Sequence, residues 1–132
     1  MSIRILLIMF LLHFIADFTL QVHSGLGDLK QKRWWARQVK DVEKTIYRID
    51  WKMGLLCHSF WWSILVCLPF ILFSNEWALL VVVVLNTYVH AVIDDLKCNK
   101  FKINLLIDQT LHFLQLLATW AILGRLLLPC DE

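Results

Sequence analysis

Long apolar runs, broken by polar residues one helical turn apart, set the pattern of this chain. Residues 78–85 read ALLVVVVL, and directly after them come Asn86, His90 and Asp94 at four-residue intervals. In a helix those three side chains share one face. His13, Asp17 and Gln21 repeat the arrangement near the start, Asn104, Asp108 and His112 repeat it near the end, and another apolar segment carries His58 and Ser59. Four segments reach the roughly 20 apolar residues that a helix needs to cross a bilayer. They cover about 3–22, 54–73, 77–96 and 103–128. Ser74-Asn75-Glu76 makes a tight hairpin of the second and third, and Pro129 ends the fourth. The pattern predicts an all-α fold, a membrane-spanning four-helix bundle, with residues 1–132 forming one integral membrane domain.

Between the first two spans the pattern changes. Residues 28–52 are rich in Lys and Arg, and Leu29, Trp35, Val39, Val42, Ile46 and Ile49 fall near helical spacing. This predicts an amphipathic helix lying in the headgroup region, with Trp34, Trp35 and Trp51 as interface anchors; a charged, partly helical loop is the alternative. Of the 13 Lys and Arg residues, eight lie in this segment (Lys30, Lys32, Arg33, Arg37, Lys40, Lys44, Arg48, Lys52). Lys97, Lys100 and Lys102 flank the link between spans three and four, and only Arg4 and Arg125 lie toward the other side. By the positive-inside rule, loops 23–53 and 97–102 are cytoplasmic and both termini face outward.

Composition agrees. Apolar residues make up 59% of the 132 and the mean hydropathy is +0.63, against roughly 45–50% apolar in soluble domains. The four cysteines, Cys57, Cys67, Cys98 and Cys130, have no paired spacing, which argues against a disulfide framework or a zinc knuckle. The first span contains His13 and Asp17 and lacks a small-residue cleavage site, so it is expected to remain in the mature protein rather than act as a signal peptide. The basic loop is expected to meet anionic headgroups, because tryptophans flank it and no nucleic-acid motif is present.

The topology tests the polar faces independently. At about 1.5 Å per residue, Asp17, His58, His90 and Asp108 all fall within about 10 Å of the inner boundary. A carboxylate at the centre of a lipid-facing helix costs about 2.5–3.5 kcal/mol on insertion scales, so these groups must face one another, an ion or water. Imidazole with carboxylate is the ligand mixture of zinc, iron and manganese sites, and helical bundles that hold metals present such ligands one turn apart. His13, Asp17, His58, His90, Asp94, Asp108 and His112 are the candidate ligands of a divalent metal. Gln21, Asn86 and Gln109 are candidates for the outer hydrogen bonds that fix imidazole tautomers. A metal-free polar network locking the helices, and an ion or proton path, are the alternatives. The near absence of polar residues in the outer halves of spans three and four argues against the path.

The motifs His13-Phe-Ile-Ala-Asp17-Phe-Thr-Leu-Gln21, His90-Ala-Val-Ile-Asp94-Asp-Leu-Lys97 and Asp108-Gln109-Thr-Leu-His112 resemble a family of small four-helix membrane proteins of unknown function from bacteria and phages. The resemblance implies an integral membrane bundle, here of a bacterial inner membrane, and brings no substrate. That family's second span often carries two histidines one turn apart, whereas here His58 is followed at that spacing by Trp62.

Two functions remain. One is a metal-dependent hydrolase of a lipid or lipid-linked phosphate at the inner leaflet, with the basic loop attracting the headgroup and an Asp or His acting as general base. The other is a non-enzymatic interaction or accessory protein whose polar cluster specifies helix packing. Phe60, Trp61 and Trp62 form an aromatic patch that would face lipid or a second copy in a homo-oligomer.

Overall fold

A computed structural model describes residues 3–72 and 77–127, and every regular element among them is helical. Helix α1 spans Ile3–His23, α4 spans Asp50–Ile71, α5 spans Trp77–Cys98 and α6 spans Leu105–Leu127. These four are long and apolar enough to cross a membrane. The short α2 (Leu26–Leu29) and α3 (Lys32–Gln38) lie between α1 and α4. The hairpin turn expected at Ser74–Glu76 and the stop expected at Pro129 lie outside the described residues.

The four long helices pack α1 on α4, α4 on α5, α5 on α6 and α6 back on α1, closing an all-α bundle. One half of its interior is apolar, filled by Leu6, Met9, Val66, Phe70, Leu79, Val83 and Leu123. The other half is polar. Leu7, Leu11, Phe14, Leu80, Val84 and Leu106 cover the outside, the inverse of a soluble protein's surface and the arrangement a bilayer requires. Asn104 begins α6 as its cap, its Oδ1 accepting the Ile107 amide at 2.9 Å, and is therefore an end signal rather than part of the polar face.

In place of one amphipathic helix, residues 28–52 form the end of α2, α3, 3₁₀ turns at Val42–Lys44 and Ile46–Ile49, and the first turn of α4. Val39 is extended and Asp41 is left-handed at φ 51°, which ends any continuous helix. Val42 is buried while Ile46 and Ile49 are exposed, so the six apolar positions do not form one face. Trp35 braces the segment, donating to the Leu29 carbonyl at 2.9 Å and stacking on Tyr47.

Gly54 fixes where the segment begins. A Cβ there would stand 2.6 Å from the Leu29 carbonyl oxygen. Its absence lets α2 lie directly on α4, and Lys30 follows α2 into the bundle.

Candidate functional site

Each long helix contributes to one buried cluster: His13 and Asp17 from α1, His58 from α4, His90 and Asp94 from α5, Asp108 and His112 from α6. Four-residue spacing aligns each pair within its helix. Asp17 lies in a π-helical stretch, Ile15–Leu20, inside α1. Such wide turns occur frequently at functional sites, and this one contains no Pro or Gly that would explain it. Its distinguishing feature is that it holds a carboxylate toward three helices at once.

The distances are unusual for a hydrogen-bonded network. His58 Nε2 lies 3.5 Å from Asp17 Oδ1 and 3.3 Å from Asp94 Oδ2. His90 Nε2 lies 3.7 and 3.6 Å from the same two oxygens, and 3.2 Å from His58 Nε2. On the other side, His112 Nε2 lies 3.4 Å from Asp94 Oδ1, 3.6 Å from Asp108 Oδ1 and 4.0 Å from Asp17 Oδ2. Most of these exceed the 2.7–3.2 Å of an N–H···O bond. They approach the edges of a coordination polyhedron, since four ligands at 2.0–2.2 Å around a tetrahedral ion stand about 3.3–3.6 Å apart. Three triads have ligand atoms within 4.8 Å of one another and could hold an ion: Asp17/His90/His112, His58/His90/Asp94 and Asp94/Asp108/His112.

Asp17 Oδ1, Asp108 Oδ1 and His112 Nε2 are buried in this cluster with no hydrogen-bond partner among the described residues. An unsatisfied buried group costs about 1–3 kcal/mol, more when charged. Three of them, in a mixed imidazole–carboxylate set, suit a divalent metal of the zinc, iron or manganese kind.

His13 plays a different part. Its Nδ1 accepts the indole N–H of Trp62 at 2.9 Å, and its Nε2 faces Gln109 Oε1 at 3.2 Å. The tautomer with hydrogen on Nε2 engages both nitrogens, leaving no lone pair for a metal, so the structure separates His13 from the other six candidates. Gln109 links His13 to the cluster, its Nε2 donating to Asp108 Oδ2 at 3.0 Å. Gln21 acts indirectly, accepting from Lys30 at 2.9 Å. Asn86 does not reach the imidazoles: its amide belongs to a separate knot with Gln115, Thr119 and Cys67.

Three residues of the site were not legible as such in the sequence. Lys30 is buried, and its Nζ donates to Asp94 Oδ2 at 2.5 Å instead of facing headgroups. Lys97 pairs with Asp108 Oδ2 at 2.6 Å. Trp62 turns inward, fully buried, rather than joining the exposed Phe60 and Trp61. Its ring stacks on His90 at 4.3 Å, and His90 stacks on His112 at 4.2 Å, so packing orients two imidazoles whose Nδ1 atoms have no hydrogen-bond partner among the described residues. The available signals were Gly27 and Gly54, which mark the close approach that buries Lys30, and the four-residue step from His58 to Trp62.

The remaining polar groups sort themselves. Asp95 pairs outside the cluster with Lys100 at 2.7 Å, His23 is exposed against the Thr19 carbonyl, and Ser59 bonds back to the Leu55 carbonyl within α4. Cys57, Cys67 and Cys98 are free thiols; Cys130 lies outside the described residues. Beside the cluster, a cavity of about 160 Å³ is lined by Gln21, Lys30, Arg33, Asp94 and Lys97 among others.

The family described as "Protein of unknown function (DUF3307)" matches residues 5–128. No curated protein and no solved structure matches the chain.

Proposed function

From the chain's membership of the DUF3307 family, whose function is unknown, we propose on the chemistry of the cluster that it is a membrane metalloprotein, a hydrolase of a lipid or lipid-linked phosphate. The carrying observation is the set of imidazole and carboxylate atoms held 3.2–4.0 Å apart on four helices. A divalent ion held by them would supply Lewis-acid polarisation and lower the pKa of an attacking water. Asp17, His58, His90, Asp94, Asp108 and His112 are the proposed ligands, with His13 and Gln109 as positioning groups.

The substrate class follows from what borders the cluster. The cavity brings the cations Lys30, Arg33 and Lys97 to a wall that includes Asp94, a setting that attracts an anionic phosphate toward the ligand set. In the proposed orientation this cavity opens at the cytoplasmic leaflet, where the substrate's acyl or isoprenoid chains remain in the bilayer. The partners are then anionic lipids.

The test is phosphate release from phosphatidic acid and polyprenyl phosphates in mixed micelles, with zinc, manganese or iron supplied. Release that depends on metal and is lost in Asp94→Asn supports the reading. A metal-loaded wild type that releases no phosphate from any of these substrates removes the hydrolase.

One observation favours a second reading. Lys30 and Lys97 already pair with Asp94 and Asp108, so part of the cluster's charge is balanced internally, as a packing module would require. That reading predicts a metal-free wild type in which substitutions of the cluster lower thermal stability only.

A further inference from the structure

We infer that the cluster is a dinuclear centre in which Asp17 and Asp94 each bridge two divalent ions. The inference rests on the metal-binding reading above and specifies its stoichiometry. Both aspartates divide their oxygens between two sets of ligands. Asp17 Oδ1 and Asp94 Oδ2 face His58 and His90, at 3.3–3.7 Å. Asp17 Oδ2 and Asp94 Oδ1 face His112, at 4.0 and 3.4 Å, and Asp108 Oδ1 joins that side at 3.6 Å. Each position therefore has four ligand atoms: two imidazoles with two carboxylate oxygens, or one imidazole with three.

The unpartnered atoms divide the same way. Asp17 Oδ1 belongs to the first position, and Asp108 Oδ1 and His112 Nε2 belong to the second. One ion at the first position would leave two buried ligand atoms of the second unsatisfied. The rings that head the two positions, His90 and His112, stack with their centroids 4.2 Å apart, so the two positions adjoin. Asp94 is common to two of the three triads with metal-binding spacing, and Asp17 joins the histidines of both positions in the third.

Charge accommodates a second ion in the presence of an anion. Two divalent ions carry four positive charges against the three carboxylates, and Lys30 and Lys97 stand beside them. The excess positive charge suits a phosphate dianion in the adjoining cavity. Lys30 shares Asp94 Oδ2 with the first position, so it is the internal competitor of that ion.

The experiment is a Mn²⁺ titration of chelator-stripped protein in detergent, with bound metal counted by equilibrium dialysis and examined by electron paramagnetic resonance. Two equivalents per chain with an exchange-coupled spectrum are expected in the wild type. His112→Ala and Asp108→Asn should each retain one equivalent with the spectrum of an isolated ion, as should His58→Ala from the other side. One equivalent in the wild type, uncoupled and unchanged in His112→Ala, overturns the dinuclear centre and leaves the mononuclear site standing. No binding at all removes the metal reading itself. The wild-type count decides between these outcomes even where a variant fails to fold.

Discussion

The bundle buries two polar clusters, and they are built differently. In the knot around Asn86, Gln115 Nε2 donates to Asn86 Oδ1 at 3.0 Å and to its carbonyl at 2.9 Å, while the Thr119 hydroxyl reaches Asn86 Oδ1 at 2.9 Å. These are neutral groups at hydrogen-bond length, although Gln115 Oε1 has no partner among the described residues. Six residues of the His/Asp cluster are charged or chargeable, stand mostly 3.3–4.0 Å apart and leave several ligand atoms without hydrogen-bond partners among the described residues. A network that locks helices brings its groups to hydrogen-bond length, as the knot does. Atoms held at coordination spacing are instead placed so that they could hold an ion.

The contrast can be broken by substitution, and the largest effect falls at Asp94. Asp94→Ala removes oxygens from both halves of the cluster and leaves Lys30 buried without its carboxylate. Metal content should fall to background, and breaking the buried pair should cost the metal-free protein about 3–5 kcal/mol; elemental analysis and thermal unfolding measure the two. Gly54→Ala comes next. Its new methyl would strike the Leu29 carbonyl, so overpacking should cost about 1–3 kcal/mol and loosen Lys30, which then becomes acylated faster by an amine reagent.

Asn86→Ala acts on the neutral knot alone. It should cost about 1–3 kcal/mol through the partners it leaves unsatisfied, with the metal-to-protein ratio unchanged. If metal were lost there, the two clusters would be one functional unit. Thr119→Val is the smallest change, removing one interhelical bond worth about 0.6 kcal/mol in membrane bundles, again with metal retained.

The four long apolar helices were legible because apolar runs of bilayer length have few other uses, and the candidate site because histidine–aspartate steps of one turn recur in them. Rotation and height were harder. Asn86 shares a face with His90 but stands one turn, about 6 Å, further along α5, beyond hydrogen-bond reach of the cluster; four-residue spacing alone does not reveal that. Lys30 was one of eight cations in a single basic segment, and its burial depends on α2 meeting α4 at Gly54, a tertiary contact. Trp62 looked like its exposed neighbours Phe60 and Trp61 because composition does not say which of three adjacent aromatics faces inward. The break in the amphipathic pattern at Val39–Asp41 comes from backbone conformation, which apolar spacing does not encode.

Whether the cluster holds metal is decided by the metal content of the detergent-purified protein, measured beside an Asp17→Ala/His90→Ala double variant. The account predicts zinc, iron or manganese at one equivalent or more in the wild type and background levels in a folded double variant. A wild type free of metal after expression with those ions supplied, or equal metal in both proteins, would contradict it.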